Sequence, residues 1–448
     1  MTRANHEKSV TVIGGGVSGL SAAVFFAKEN FKVTLVEASP KLGGRTYSFF
    51  DNIIGAEIDN GQHILASWYH NTFEFLKIIG SYDKLTFQKQ LEVKFIDDSA
   101  KEYLFKCPKL PPPFHLLSGI MRYKALRFKD KKALVKLINT INRGRISEDK
   151  LRAINTNELF KITGQSERLS NYFWKPFIIA VFNAKPENTS AYLFSQIIKA
   201  GFLEKNGSKL VLPNEFLSKL FVDPAFVYLK NKNSNVITNN RVAKINFEDR
   251  IVNSLIIEDN TKIRSDFYIS AVPFFELKNL FEKDAYDSNF KQVEGLKSSP
   301  IVNIHLKFDK SIDNIFNKRF AGLLNTQVQW IFKVKSDQMC LVISAAKEVS
   351  ELDKNEIVKF AQNELEMCIP EFKNFKIIAS RVIKEMRATF VPDKNSLSCR
   401  PKNATKFKNF FIAGDWTNTG LPATIEGAVK SSKQCVNYIL SAAKNLTE

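Results

Sequence analysis

Three glycines and one carboxylate near the N-terminus have the types and spacing that the phosphates and ribose of a dinucleotide require. Gly14, Gly16 and Gly19 form the pattern Gly-x-Gly-x-x-Gly, and Glu37 follows Gly19 by 18 residues. The first glycine permits a tight turn, the second lets backbone amides approach a pyrophosphate, and the third lets a helix pack close to a strand. Glu37 can accept hydrogen bonds from ribose hydroxyls and disfavours a 2′-phosphate. The pattern therefore predicts a dinucleotide site.

The segment Gly43-Gly44-Arg45 suits the same ligand. Arg45 can neutralise phosphate charge, and the two glycines allow the backbone to approach closely. The segment resembles the Gly-Gly-Arg segment of the amine oxidase and phytoene desaturase superfamily of flavoproteins, in which it lies along the pyrophosphate and the flavin. That resemblance implies FAD as the cofactor, and an ordinary surface loop is the alternative meaning of the same residues.

Gly414 and Asp415 follow an apolar run near the C-terminus and precede a helix that we predict to begin near Ala423. Asp415 can accept hydrogen bonds from ribityl hydroxyls, and the helix can direct its dipole at the flavin C2 carbonyl, where it stabilises the negative charge of reduced flavin. The superfamily resemblance assigns this work to a Gly-Asp pair near the last strand. The predicted cofactor contacts are Gly14, Gly16, Val17, Ser18, Gly19, Glu37, Ala38, Gly43, Gly44, Arg45, Gly61, Gln62, His63, Val242, Gly414, Asp415, Ala423, Thr424 and Ile425.

A narrower resemblance rests on motifs spread along nearly the whole chain. The segments IDNGQHIL at 58–65, FWKP at 173–176, AKPE at 184–187, QVQW at 327–330, RATF at 387–390 and AGDWT at 413–417 are similar to those of the squalene-associated flavoproteins, the hydroxysqualene dehydroxylases of hopanoid synthesis. The DNGQH and QW segments point to this branch, whereas the end motifs point only to the superfamily. The chain departs from the pattern in its heavy lysine content and in extra basic residues around 101–150.

The resemblance implies that hydroxysqualene is converted to squalene with hydride from a reduced flavin. The departing hydroxyl then needs a proton, and the developing allylic cation needs aromatic faces or a negative partner. The candidate acids are His63, which titrates near neutral pH, and Asp59, which burial would keep protonated. Arg387 is a third candidate, able to orient the pocket or pair with a carboxylate. Each has a purely structural alternative, as do the predicted wall residues Trp174, Phe177, Phe182, Trp330 and Trp416, which are also common in protein cores.

These residues must be positioned by strands that end near one another. Residues 10–13, 32–36 and 409–413 are predicted strands, residues 266–273 are a predicted core strand that leads into a turn, and the segment from Leu20 to Ala27 is a predicted helix. The fold class is therefore α/β, with a Rossmann-like FAD-binding domain formed by residues 1–75, 205–275 and 400–448. The inserted segments 76–204 and 276–399 are predicted to form a mixed α+β substrate-binding domain.

The chain carries a formal charge of +19, and residues 101–150 contribute thirteen Lys or Arg against four Asp or Glu. Basic residues interleaved with apolar ones suit an anionic membrane surface, although an amphipathic helix with a solvated face gives the same pattern. The family resemblance implies an apolar polyisoprenoid substrate, and together with the basic segment it leads us to expect a cytoplasmic protein that binds peripherally to the inner face of the membrane. The scattered cysteines, none closer than 28 residues, predict a reducing compartment and no metal site. No nucleic-acid-binding motif is present.

Three other functions stay open at this point. A carotenoid-type desaturase would run the flavin in the oxidising direction on the same fold, and an amine-oxidase-like flavin oxidase would act on a different substrate. A prenyl-binding protein without redox chemistry would keep only the scaffold, but the intact phosphate glycines, Glu37 and Asp415 argue against it.

Overall fold

The computed structural model describes residues 7–111, 113–203 and 208–445. Its strands, in chain order, are β1 (Ser9–Ile13), β2 (Lys32–Val36), β3 (Ser48–Asp51), β4 (Ala56–Asp59), β5 (Leu65–Ala66), β6 (Leu85–Phe87), β7 (Glu92–Asp97), β8 (Glu102–Lys106), β9 (Leu210–Pro213), β10 (Asn235–Ile237), β11 (Val242–Glu248), β12 (Ile251–Ile257), β13 (Lys262–Ile263), β14 (Phe267–Ser270), β15 (Ser298–Phe308), β16 (Phe320–Leu324), β17 (Trp330–Lys335), β18 (Gln338–Ser344), β19 (Ile377–Phe390) and β20 (Phe410–Ile412).

The α-helices, in the same order, are α1 (Val17–Lys28), α2 (His70–Ile78), α3 (Phe114–Arg122), α4 (Phe128–Asn142), α5 (Glu148–Ala153), α6 (Thr156–Thr163), α7 (Glu167–Leu169), α8 (Lys175–Phe182), α9 (Ala191–Ile198), α10 (Asp223–Asn231), α11 (Lys283–Phe290), α12 (Lys347–Glu351), α13 (Lys354–Cys368), α14 (Ser396–Cys399) and α15 (Ile425–Asn445). Short 3-10 and π-helical turns connect several of them, and the π-helical turn Ser170–Trp174 leads directly into α8.

A five-stranded parallel sheet, in the order β10-β2-β1-β14-β20, gathers strands from distant parts of the chain. Its strands are short apolar runs because helices or a second sheet cover both faces. On β1, Val12 belongs to the core on one side and Ile13 to the core on the other, as the two-residue alternation of a strand requires. The carboxyl ends of β1, β2, β14 and β20 all lie at the same edge of this parallel sheet.

Helices α1 and α15 pack together against one face of this sheet. The hydroxyl groups of Ser18 and Ser432 lie 2.9 Å apart, and Ser432 donates to the Ser18 carbonyl at 2.6 Å. The small antiparallel sheet β11-β12-β13 packs on the other face through Val242 and Ile245. The last helix of the chain is thereby held against the first.

A mixed seven-stranded sheet, in the order β19-β15-β18-β17-β16-β7-β8, forms the second body of strands. Only β16 and β7 pair in parallel, and the other neighbours are antiparallel. Helices α3 to α9, all contributed by residues 114–198, pack beside it into the largest core cluster. A cavity opens between these helices and the sheet.

The predicted fold class is confirmed: a parallel α/β unit carries a second unit of helices and mixed sheet. The predicted strands at 10–13, 32–36 and 409–413 are present to within one residue at each end, and the strand predicted within 266–273 covers Phe267–Ser270, whereas the last helix begins at Ile425 rather than near Ala423. The domain boundaries stay a prediction.

Candidate functional site

The first turn of the site is built from backbone rather than side chains. β1 ends at Ile13 and α1 begins at Val17, so residues 14–16 form the whole turn. Gly14 has a φ of +103°, and a Cβ on Gly19 would overlap the Gly14 carbonyl oxygen. Within the described residues no side chain caps α1, so its first amides are free to bind phosphate.

Glu37 is held in place at the carboxyl end of β2 by two backbone amides. The amide of Gly15 donates to Oε2 at 2.6 Å, and that of Ser39 donates to Oε1 at 2.7 Å. Ala38 and Val242 line the cavity beside it. Because each carboxylate oxygen has further lone pairs, the fixed carboxylate can still accept from ribose hydroxyls.

The glycine pair Gly43-Gly44 lies directly on the first turn. The Gly43 amide donates to the Gly15 carbonyl at 2.8 Å, and a Cβ on Gly44 would come within 3.1 Å of the Gly16 Cα. The first turn and the Gly43-Gly44 loop, which are separated in sequence, are therefore packed backbone against backbone. This packing leaves the cavity wall free of side chains where a pyrophosphate would lie.

Arg45 and Asp415 join the two ends of the chain. Arg45 Nη2 lies 2.8 Å from Asp415 Oδ1, and Arg45 Nη1 donates to the Ala388 carbonyl. Burial alone would lower the pKa of Arg45, but the neighbouring Asp415 carboxylate outweighs it and the pKa of Arg45 is raised. The guanidinium therefore stays charged in the cavity, as a phosphate-binding group must.

Sequence reasoning missed Arg400, which shapes the loop after β20. Its buried guanidinium donates to the carbonyl oxygens of Asp415, Trp416 and Thr417. Burial lowers the pKa of Arg400 to about 10, while Asp415 acts in the opposite direction. No sequence motif marks this residue, because its role appears only once the loop has closed around it. The loop leads into Ala423, Thr424 and Ile425, which line the cavity at the start of α15.

The segment Gly61-Gln62-His63, whose residues are predicted cofactor contacts, lines the cavity. His63 Nδ1 lies 2.9 Å from the Gly61 carbonyl oxygen, so Nδ1 carries a hydrogen and the neutral ring keeps a free lone pair on Nε2. Burial lowers the pKa of His63, and the nearby Arg45 charge adds to that effect. His63 is therefore mostly neutral at pH 7, and the rarer imidazolium is a stronger acid than an ordinary histidine.

Asp59 is not positioned to donate a proton in the cavity, so its prediction as the acid is wrong. Its Oδ1 accepts hydrogen bonds from Ser48 Oγ at 2.7 Å and from the Leu217 amide at 2.9 Å, and the side chain is not part of the cavity wall. Burial raises the pKa of Asp59 to about 6. On β4 alternate side chains point to opposite faces, and Asp59 faces the Ser48 side.

Arg387 and Trp416 lie at the nucleotide end of the cavity. The Arg387 guanidinium stacks 3.7 Å from the centre of the Phe275 ring and lies 4.0 Å from Glu276. Trp416 Nε1 donates to the Val272 carbonyl at 3.1 Å. Arg387 thus lies beside a carboxylate, which is one of its two predicted roles, whereas Trp416 lines the nucleotide end of the cavity rather than a separate substrate pocket.

Beyond the flavin-binding residues the cavity becomes an aromatic chamber. Of the predicted wall residues, Phe177 and Trp330 do line it. The other nine chamber residues were not predicted; for those on β7 and β8 the reason is that one face of each strand meets the chamber and the sequence does not say which. The side chains that define the aromatic chamber are Leu91, Val93, Phe95, Phe105, Phe173, Phe177, Val181, Ile197, Leu210, Trp330 and Phe332.

Trp174 and Phe182 do not line the chamber, so their prediction as wall residues is wrong. Trp174 is fully buried, donates from Nε1 to Gln165 Oε1 at 2.9 Å and packs on Phe160. Phe182 is also buried in the core. Both side chains point away from the chamber side of the helical segment that carries Phe177.

The nucleotide cleft, meaning the cavity walls formed by residues 13–18, 36–45 and 414–416, and the aromatic chamber form one continuous cavity of about 930 Å³. FAD fits the residues present. Gly19 must lack a side chain for the turn to close, Glu37 is oriented for ribose, and Arg45 supplies positive charge beside Asp415. The chain thus offers groups for each polar part of FAD.

Two further properties concern only the described residues. They contain no cluster of three or more His, Cys, Asp or Glu side chains able to hold a metal ion. None of the described helices is both long enough and apolar enough to cross a bilayer.

Comparison with known proteins agrees with this geometry. The profile of the flavin-containing amine oxidoreductase family matches residues 17–440. Hydroxysqualene dehydroxylase of Zymomonas mobilis is 30% identical over 442 residues, which cover 97% of this chain and 99% of that protein. The 15-cis-phytoene desaturase of an Oncidium hybrid is 26% identical, over 96% of this chain and 77% of its own length.

The fold has a close counterpart among solved structures. An oxidoreductase from Methanosarcina mazei superposes with a TM-score of 0.75 and 16% identity, covering 96% of this chain and 100% of that one. At that identity the likeness shows the fold alone.

Proposed function

Since the chain belongs to the flavin-containing amine oxidoreductase family and, within it, to the hydroxysqualene dehydroxylases, we propose that this FAD-dependent oxidoreductase reduces hydroxysqualene to squalene. The reaction would be a step in hopanoid or triterpenoid synthesis. One observation carries the proposal: the nucleotide cleft opens directly into an aromatic chamber, so a long hydrocarbon can reach the cofactor without passing through water.

The reaction consumes one hydride and one proton for each substrate and releases one water molecule. Reduced FAD, when bound, supplies the hydride that replaces the hydroxyl group. The remaining requirements fall on the protein, which must bind the hydrocarbon, supply a proton to the departing hydroxyl and stabilise positive charge on the allylic carbons.

Apolar side chains bind the hydrocarbon and exclude water. Phe95 and Trp330 are neighbours in the chamber wall, with ring centres 6.0 Å apart. Each buried methylene of the substrate contributes about 0.8 kcal/mol. The same ring faces can stabilise an allylic cation through their π-electrons, an effect of about 0.5–2 kcal/mol for each ring. The chamber therefore serves binding and catalysis with one set of residues.

His63 is the proton donor in this proposal. Its Nδ1–H is held by the Gly61 carbonyl, which leaves Nε2 as the atom that gains and gives the proton. The lowered pKa of His63 makes its imidazolium a strong acid, although few molecules carry it at neutral pH. The carboxylate of Asp59 instead accepts hydrogen bonds from Ser48 and Leu217, and its side chain is not part of the cavity wall.

The direct test is product analysis under anaerobic conditions. Enzyme reduced with dithionite and mixed with hydroxysqualene should give squalene, with one flavin oxidised for each molecule formed. If the oxidised enzyme instead introduces a double bond into phytoene with a quinone acceptor and leaves hydroxysqualene unchanged, the protein is a desaturase. If purified protein binds hydroxysqualene but takes up no FAD, it is a non-catalytic binding protein.

The location of the protein is part of the proposal. We place it in the cytoplasm, bound peripherally to the inner face of the membrane. The five free cysteines and the basic surface of residues 101–150 support this placement.

A further inference from the structure

Helix α3 exposes an apolar side to the surroundings. Phe114, Leu117 and Met121 are 60%, 41% and 42% exposed, although side chains of these types are usually buried. Their spacing of three and seven residues puts them on one side of the helix. Phe128, at the start of α4, is also 60% exposed, and Lys131 Nζ of the same helix donates to the Met121 carbonyl. The apolar residues therefore form one patch at the junction of α3 and α4.

The opposite side of α3 packs against the wall of the aromatic chamber. His115 Nε2 lies 2.8 Å from Ser208 Oγ, and Ser208 lines the cavity. Gly119 lies against Cys107, one residue beyond β8, and Phe105 of that strand is part of the chamber wall. A single helix thus separates the chamber wall from an exposed apolar patch.

The charge around this patch is strongly positive. From residue 103 to residue 147 the sequence has eleven Lys or Arg and a single acid, Asp130. Asp130 is buried and accepts hydrogen bonds from Ser166 Oγ and the Arg127 amide. Five exposed basic side chains, which form no ion pair with any described residue, make up the basic flank: Lys109, Arg122, Lys124, Arg127 and Lys129.

We propose that α3 docks the protein on an anionic phospholipid bilayer. Phe114, Leu117 and Met121 enter the region between headgroups and acyl chains, and the basic flank binds the lipid phosphates. A second copy of this chain is a poor partner, because it brings a like charge of +19 to the same contact. Nucleic acid would match the charge but would leave the apolar side chains of α3 uncovered.

Docking through α3 would bring the aromatic chamber to within one helix of the lipid. Given the hydrocarbon substrate of the proposed function, this short distance would favour transfer of substrate from the bilayer. Membrane binding itself does not depend on that substrate, so it can be tested separately from the reaction.

The experiment is flotation of the FAD-loaded full chain with lipid vesicles. Vesicles of phosphatidylglycerol and phosphatidylcholine should carry the protein upward in the gradient, and vesicles of phosphatidylcholine alone should carry at least about tenfold less. Two variants test the two parts of the surface. Phe114→Ser/Leu117→Ser/Met121→Ser removes the apolar patch, and Lys124→Glu/Arg127→Glu/Lys129→Glu reverses part of the basic flank. Each should lower the vesicle partition coefficient at least about tenfold.

Matched controls change the same properties elsewhere on the surface. Lys354→Glu/Lys359→Glu/Lys373→Glu makes the same change in charge on α13 and the turn after it, which pack beside β19 at the opposite edge of the seven-stranded sheet from β8. Ile378→Ser removes an exposed apolar side chain from β19 itself. Both controls should bind vesicles as the unaltered protein does.

Four results would overturn the proposal. The unaltered protein could fail to bind anionic vesicles, or the α3 variants could bind them as well as the controls do. Alternatively, the α3 variants could change the oligomeric state in size-exclusion chromatography while vesicle binding is unchanged, which would make the patch an interface between copies. Retention on duplex DNA without vesicle binding would assign the basic flank to nucleic acid.

An activity measurement separates this inference from the proposed reaction. The α3 variants should convert substrate dissolved in detergent at the rate of the unaltered protein, but convert vesicle-borne substrate at least about tenfold more slowly. If the unaltered protein converts neither detergent-dissolved nor vesicle-borne substrate, the proposed reaction is contradicted. The flotation experiment would still show whether α3 binds the membrane.

Discussion

The guanidinium of Arg45 lies 2.8 Å from the carboxylate of Asp415, joining residues that are 370 positions apart in the chain. Arg45 follows the glycine pair that packs on the first turn, and Asp415 follows the last strand of the parallel sheet. Each holds the other at the cavity wall, so the phosphate end and the ribityl end of the cofactor site form one electrostatic unit.

This unit predicts non-additive effects on FAD affinity. Arg45→Ala and Asp415→Ala should each weaken FAD binding about tenfold, about 1.4 kcal/mol, because either change leaves the other charge without its partner. The double variant should lose less binding free energy than the two single variants lose together. Fluorescence titration with FAD should give a coupling energy of about 1 kcal/mol. The exposed pair Lys333–Asp313 is the control, and its alanine variants should bind FAD normally. Strict additivity at Arg45 and Asp415 would contradict the prediction.

Alanine substitutions at Gly16 and Gly19 should differ in their effects on stability and on FAD binding. Gly19→Ala places a Cβ on the Gly14 carbonyl, so we expect it to destabilise the fold by about 1–3 kcal/mol and to abolish FAD binding. Gly16→Ala meets only the Gly44 Cα at 3.9 Å and has an ordinary backbone conformation, so the fold should persist. It should still weaken FAD binding about tenfold or more, because its methyl group lies where the pyrophosphate approaches. Thermal unfolding of the apoprotein separates the two effects, and equal stability losses would refute the distinction.

The cofactor site could be predicted from the sequence because its requirements are local. A tight turn, a close helix and a carboxylate at a strand end need particular residues at fixed spacing, and Gly14, Gly19 and Glu37 supply them. The contacts of Arg400 could not be predicted, since they are made to backbone carbonyls that converge only in the folded loop.

The substrate chamber could be predicted only in part. Trp174, predicted as a wall residue, is in the core, whereas Phe173 beside it lines the chamber. Both residues lie in the π-helical turn Ser170–Trp174, in which side chains do not follow the 3.6-residue period of an α-helix, so that period does not show which of them faces the chamber. On β8 Phe105 lies between two exposed residues, but on β7 Phe95 lies between the half-buried Lys94 and the buried Ile96, so only the tertiary structure shows which face meets the cavity.

Two phenylalanines on α8 should separate binding from stability. Phe177 lines the chamber, so Phe177→Ala should raise the KM for hydroxysqualene about tenfold, about 1.4 kcal/mol of lost apolar contact. Phe182 is buried in the core, so Phe182→Ala should cost about 3–5 kcal/mol of stability and leave the KM unchanged in the folded fraction. Urea unfolding and steady-state kinetics give the two quantities. If Phe182→Ala raises the KM more than Phe177→Ala does, the position assigned to the chamber is wrong.

Asp59 should affect stability rather than catalysis. Its pKa is about 6 in the folded protein against 3.8 in the unfolded chain, because burial disfavours the carboxylate. The folded state therefore binds more protons between these values, and the contribution of Asp59 to stability falls as pH rises through that window. Asp59→Asn keeps an acceptor for Ser48 and should gain stability, relative to the unaltered protein, of about 2 kcal/mol between pH 4 and pH 7. Turnover should stay within about twofold, since proton donors contribute far more than that. Loss of turnover in a folded, FAD-loaded Asp59→Asn protein would restore Asp59 as the acid.

His63 should set the pH dependence of the chemical step. Burial and the Arg45 charge lower its pKa below 6.5, so the imidazolium that donates from Nε2 becomes rarer as pH rises. In single turnovers of reduced enzyme, the rate should therefore fall with increasing pH, with an apparent pKa below 6.5. His63→Gln should lower the rate about a hundredfold and remove this dependence, because an amide cannot donate a proton at these pH values. FAD affinity and the KM of His63→Gln serve as controls for altered binding. An unchanged pH profile in the variant would exclude His63, and the proton would then have to come from solvent reaching the cavity.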